Sequence, residues 1–318
     1  MSDGTGRKHG AGADFTRRTF VAGTAVAGAL AATGFRFGIP LSGGERPDVA
    51  AAHGEDVVKN TRAVVEALGG MGAFVKAGNV VNILPNAQGS HPGTSTNPIL
   101  IKAVVEMCKE AGAKVVRWLT WLPERNWERS NLKPLLEGSG AELVLVDIEA
   151  DDQWETFEIP RGVKLKKVRV YKALNECDVF ISMPIFKDHI GCRFTGVLKN
   201  YMGASHALDN RTFHPSFEGE NLVHMEHCIA DLNVAARKPD LCVCDAMTIL
   251  TSKGPFGPGD IAKPNKVVAG VDRVAVDSYG ATILGLSGSE INMIKNANAH
   301  GLGEMDLGKL TVKEIEVA

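Results

Sequence analysis

Apolar runs of strand length alternate with helix-length amphipathic segments along most of this chain, and that alternation limits its fold more than any other feature. Strands are predicted over 80–84, 114–119, 143–146, 179–183, 241–244 and 266–269. Helices are predicted over 57–68, 98–111, 131–137, 194–202, 220–236, 274–284 and 290–299. Gly69-Gly70 stops the first helix, Asn97 is placed to cap the second, and Pro98 suits its first turn. Strands alternating with helices predict an α/β fold with a mainly parallel sheet flanked by helices. The irregular stretch 151–170 reads as a strand or hairpin, and a division into two α/β subdomains would fall near 150–175. With 318 residues, 44% of them hydrophobic, the chain can fill one large core or two smaller ones.

The net charge of −2 and the lack of a basic run in the body of the chain give no electrostatic footing for nucleic acid. The first 52 residues read differently. A basic stretch contains Thr16-Arg17-Arg18-Thr19-Phe20, a Gly/Ala-rich weakly apolar run follows from 21 to 37, and Ala50-Ala51-Ala52 comes after two prolines. This is the layout of a twin-arginine export signal. It predicts residues 1–52 as signal and linker, with a cut after Ala52 or near Ala31, and a single domain over 53–318. The expected partner is the twin-arginine translocation machinery and the expected location is periplasmic or otherwise extracytoplasmic. The six cysteines, Cys108, Cys177, Cys192, Cys228, Cys242 and Cys244, include no Cys-x-x-Cys pair, so the chain carries no haem or iron–sulfur motif. Cys242 and Cys244 would share one face of a strand.

Polar residues gather where the predicted strands stop. Asn86 follows the first, Asp147 the third, Lys187 and His189 the fourth, and Asp245 the fifth. In a parallel sheet those ends share one edge, where ligands bind. Lys187 and Lys199 suit an anion as point charges, Asn86 and Asn200 would orient it, and His189 suits proton transfer or metal ligation. The Ser/Thr-rich loop 89–97, with Thr94 and Thr96, leads into a helix N-terminus and suits an anion or an ordinary cap. His214, together with His224 and His227 at helical spacing from Asp231, gives a donor set compatible with a divalent metal. Asp272 is placed to cap the helix near 274, which leaves Asp277 as a site carboxylate. Trp118, Trp121 and Trp127 read as core or subunit packing before ligand surface. No Gly-x-Ser-x-Gly elbow supports a serine triad.

These motifs resemble the family labelled domain of unknown function 362. The resemblance rests on Asn82-Ile-Leu-Pro-Asn86, on Thr96-Asn97-Pro98, and on the stretch from Asp178 to His189. It continues through Thr195-Gly-Val-Leu-Lys-Asn200 with Gly203, 241–245, Gly254-Pro255 with Gly257, and 269–277. It implies Asn86, Lys187, His189, Lys199, Asn200, His214, Asp245 and Asp277 as positions of interest. Two departures stand out. Leu84 replaces the lysine usual before Pro-Asn, and the ferredoxin-like cysteine run of many relatives is missing. The resemblance implies no reaction. Two readings of function remain: an exported protein binding a small anionic ligand, as a metal-dependent enzyme or otherwise, and a non-catalytic binding or assembly factor. Cofactor and oligomeric state are not specified by these residues.

Overall fold

A computed structural model describes residues 46–214 and 220–318. The twin-arginine stretch around Arg17 and Arg18 lies outside them. Twelve strands run in order: β1 (Val49–His53), β2 (Val80–Pro85), β3 (Val115–Thr120), β4 (Glu142–Leu145), β5 (Trp154–Glu158), β6 (Lys167–Tyr171), β7 (Val179–Met183), β8 (Leu241–Ala246), β9 (Ile249–Leu250), β10 (Ile261–Ala262), β11 (Lys266–Gly270) and β12 (Val312–Glu316). The helices are α1 (Val57–Ala67), α2 (Pro98–Glu110), α3 (Glu124–Arg129), α4 (Leu132–Ser139), α5 (Val197–Asn200), α6 (Ala207–Phe213), α7 (Glu220–Ala235), α8 (Arg273–Ile283) and α9 (Asn292–Ala299).

Eight strands form one sheet in the order β12-β1-β11-β8-β7-β2-β3-β4. The half from β8 to β4 is parallel throughout, while β11 runs antiparallel to both of its neighbours. This is the expected α/β fold with a mainly parallel sheet. Alternation along the strands splits the core in two. Leu241, Val243, Ile181 and Met183 face a layer containing Val64, Leu68, Leu100 and Val104 of the α1–α2 side. Cys242, Cys244 and Phe180 face Ile229, Val274 and Ile294 of the α7–α8–α9 side. Cys242 and Cys244 thus share a face, and all six cysteines are free thiols.

Local sequence explains the helix entries. Asp56 accepts from Val58 and Lys59 N–H at α1, Asn97 accepts from Ile99 N–H at α2, and Asp272 accepts from Val274 and Ala275 N–H at α8. Trp118 and Trp127 are fully enclosed, with ring centroids 4.0 Å apart, so they pack the core as expected.

Three expectations need correction. The domain does not begin at residue 53. Ala50, Ala51 and Ala52 are wholly buried in β1, which pairs with both β11 and β12, so a cut after Ala52 would remove four of its five residues. No subdomain boundary falls near 150–175: residues 45–318 form one compact unit, and the β5–β6 hairpin sends Trp154, Val168, Val170 and Tyr171 into the common core. The helix predicted over 194–202 is a single α turn, α5, followed by a 3-10 turn, because Thr195 is bridged to Lys187 instead. Among the described residues, no helix is long and apolar enough to cross a membrane.

Candidate functional site

The chain moves outward from β2 through β3 to β4 on one side, and from β7 to β8 on the other. The order therefore reverses between β2 and β7, the point of an open α/β sheet where a crevice opens beyond the carboxyl ends. Asn86 leaves β2 there, and Ile185 to His189 leave β7 there. Asp245 joins them from β8: its carbonyl accepts the Phe186 N–H, and it is bridged to Ile185. Asp147 does not join. It is an exposed turn residue beyond β4, at the far edge of the sheet.

Lys187 is completely buried. Its ammonium donates to the Thr94 carbonyl at 2.6 Å and to Asn86 Oδ1 at 3.4 Å. The chain then turns tightly at 189–193, where the His189 carbonyl accepts the Arg193 N–H, and returns so that Thr195 pairs with Lys187. That reversal brings α5, with Lys199 and Asn200, back under the strand ends. Lys199 is buried as well, and its ammonium contacts the Met202 thioether at 3.3 Å, a weak acceptor. Among the described residues neither lysine forms an ion pair.

The surrounding carboxylates are committed elsewhere. Asp277 accepts the Val197 and Leu198 N–H groups at 2.6 and 2.9 Å, closing the start of α5. A Cβ on Gly196 would lie 2.2 Å from Asp277 Oδ1, so the close approach needs glycine. Asp245 accepts the Asn97 and Met247 N–H groups at 2.7 and 2.9 Å, and Asp188 accepts that of Gly254. Burial pushes the Asp277 carboxyl up to about 7 and that of Asp245 up to about 6, against the N–H groups that hold them down.

Burial in low dielectric disfavours the charged form of both lysines. Burial first, and the Lys199 charge second, bring Lys187 down to about 7. Burial lowers Lys199 too. His189, 3 % exposed, is held far below the usual imidazole range by burial, then by Lys199, Lys187 and His214. Its Nδ1 lies 2.9 Å from the Gly191 N–H. An Nδ1 that accepts leaves the proton of the neutral ring on Nε2, as a donor.

The remaining predicted residues separate by role. Thr96 donates to the Met183 carbonyl and accepts the Asn86 N–H, and Thr94 donates to the His91 carbonyl. Their hydroxyls therefore brace the loop. Asp245 sits against the entry to α2, so this helix start does not offer the free anion cradle allowed by the loop's composition. Asn200 donates to the Leu84 carbonyl and Ser182 Oγ, tying α5 to β2 and β7. Asp245 and Asp277 likewise position the chain.

Among the described residues, the histidines considered from spacing do not gather into a group of three metal-ligating side chains. His224 Nε2 is engaged by the Thr212 carbonyl and Cys228 Sγ, and Asp231 is taken by three N–H groups of 163–165 and by His300. His189 uses Nδ1 internally and faces two lysines that repel a cation. Among the described residues no group of three His, Cys, Asp or Glu is arranged around a metal position. His214 stays close to the crevice, within the electrostatic reach of Lys199 and His189.

Sequence reasoning missed Met202 as the neighbour of Lys199, and Gly191 as the group that sets the His189 tautomer. A glycine two residues after the histidine was the available signal for the second. It also missed a cavity of about 360 Å³ lined by Trp121, Ala207, Asn210, Arg211 and His214.

The thylakoid-associated protein sll1697 of Synechocystis sp. is 26% identical over 249 residues, covering 74% of this chain and 72% of that protein. The lactate racemase apoprotein from Thermoanaerobacterium thermosaccharolyticum superposes with a TM-score of 0.45 at 16% identity, over 71% of this chain. This chain spans about half of that protein's length, 54%. The sequence model of one family matches residues 81–282, a stretch running from β2 into α8 and containing every crevice residue described above. The chain belongs to that family, the Domain of unknown function (DUF362).

Proposed function

We propose that this protein binds a small anionic molecule at the β2–β7 crevice, through Lys187 and Lys199, with the His189 Nε2–H as a neutral donor beside them. One observation carries the reading: two buried ammonium groups have no carboxylate partner among the described residues, while Asp188, Asp245 and Asp277 accept from backbone N–H groups. A buried charge without a counter-charge costs several kcal/mol. A bound anion removes that cost, so the crevice favours one over water. The donor set gives no support to the metal-dependent version.

A catalytic version draws on Lys187, brought down to about 7. A lysine poised near neutrality accepts a proton at physiological pH, and a neutral imidazole N–H beside it suits a developing oxyanion. In that version Lys187 takes the proton and Lys199 holds the acid group of the substrate.

Export through the twin-arginine route is part of the proposal and rests on Arg17 and Arg18 with the weakly apolar run 21–37 that follows them. Changing both arginines to Lys should keep the protein in the cytoplasm; undiminished export refutes that part. The binding reading is tested by thermal unfolding with sulfate, phosphate and acetate. A ligand at one hundred times its Kd stabilises a fold by about 2.7 kcal/mol. At least one anion should raise the melting temperature of the wild type and fail to do so with Lys187→Met and Lys199→Met. No shift with any anion, or equal shifts in both variants, would refute it.

A further inference from the structure

The cavity beside α6 has no role in the anion site just proposed, yet two of its lining residues, Asn210 and His214, lead toward it. The Asn210 side chain donates to the Met202 carbonyl at 2.7 Å, and Met202 is the residue whose sulfur meets the Lys199 ammonium. His214 lines the cavity, lies 3.0 Å through Nδ1 from the Asn210 carbonyl, and feels the charge of Lys199. His214 thus stands between this space and the charged groups of the anion site.

The lining has a definite chemistry. Trp121 is half-buried and contributes an apolar aromatic wall. Its indole N–H is buried and has no hydrogen-bond partner among the described residues. Arg211 is exposed at the rim and forms no ion pair among the described residues. The Asn210 amide nitrogen is already committed to Met202. Trp121 therefore offers the cavity a flat ring, and Arg211, without an ion-pair partner among the described residues, a planar fork that matches a carboxylate. A volume of about 360 Å³ lies at the lower end of the range for small organic ligands, well above the need of an inorganic ion.

We propose that the ligand is an organic diacid with a flat apolar body: one acid group lies at Lys187 and Lys199, the body against Trp121, and the second acid group at Arg211. This inference rests on the anion site at the lysines and extends it to a class of ligand.

The test is calorimetric titration with acetate, benzoate and the three benzene dicarboxylates, phthalate, isophthalate and terephthalate. Benzoate should bind at least tenfold more tightly than acetate, and one dicarboxylate at least tenfold more tightly than benzoate. Arg211→Gln, an exposed position that leaves the fold alone, should bring that dicarboxylate down to the affinity of benzoate. Trp121→Leu should bring benzoate down to that of acetate, with acetate itself unchanged in both variants. If no dicarboxylate exceeds acetate by tenfold, or if either variant keeps its full preference, the diacid assignment fails. Acetate binding that is still lost in Lys187→Met would then leave the anion site standing. If neither acetate nor any diacid binds, the anion site fails and the diacid assignment fails with it.

Discussion

Anion affinity at the crevice should fall steeply as the pH rises above neutrality, because the group that attracts the anion loses its proton there. The unfolded chain keeps the Lys187 proton up to about 10.5, whereas the folded chain keeps it only to about 7. Between those values the unfolded state binds more protons, so the contribution of Lys187 to stability rises with pH. Affinity has the opposite sign. Only the ammonium form binds, so the apparent Kd grows tenfold for each pH unit above 7, or about 1.4 kcal/mol per unit. Sulfate is the probe of choice, since its charge stays constant across the range. From pH 6 to pH 9 its Kd, measured by calorimetry at fixed ionic strength, should weaken by about 100-fold, or ~2.7 kcal/mol. Lys199, lowered in the same direction, can only steepen the profile. His189 and His214 lie below the usual imidazole range and contribute little above pH 7. A flat profile between pH 6 and 9 would refute the argument, and so would the same slope in Lys187→Met.

Asp277→Ala leaves the Val197 and Leu198 N–H groups buried without an acceptor, at about 1–3 kcal/mol each, so urea unfolding should show a loss of about 2–6 kcal/mol; a loss below about 1 kcal/mol would overturn its assigned role. A chain starting at Glu45 should give a cooperative thermal transition, whereas one starting at His53 lacks the four fully buried residues of β1 and should give none; equal melting temperatures would restore the boundary at residue 53.

Local chemistry made the strand ends legible. Pro85-Asn86 and Pro184 stop apolar runs whose next residues are polar, so Asn86, Lys187 and Asp245 could be placed on one edge before the strand order was known. Caps were equally local: Asn97 and Asp272 each accept from the N–H two residues on. What stayed hidden depends on distant partners. β1 reads Val-Ala-Ala-Ala-His, with small residues that suit a cleavage site better than a strand, and its pairing comes entirely from residues 266–270 and 312–316. Nothing near Asp277 in sequence shows that its two oxygens meet backbone N–H groups at 197 and 198. The cavity beside α6 joins Trp121 to residues 207–214, a contact between segments far apart in the chain.

The seam between β1 and β12 bears on how the molecule is made. His53 and Glu316 are hydrogen-bonded neighbours separated by 263 positions. At a ribosomal pace of about 5–20 residues per second, the first strand of the sheet waits on the order of 10–50 s for the last. Through that interval its alanine-rich edge has no mate. The nascent polypeptide cannot close this seam until residues 312–316 have emerged.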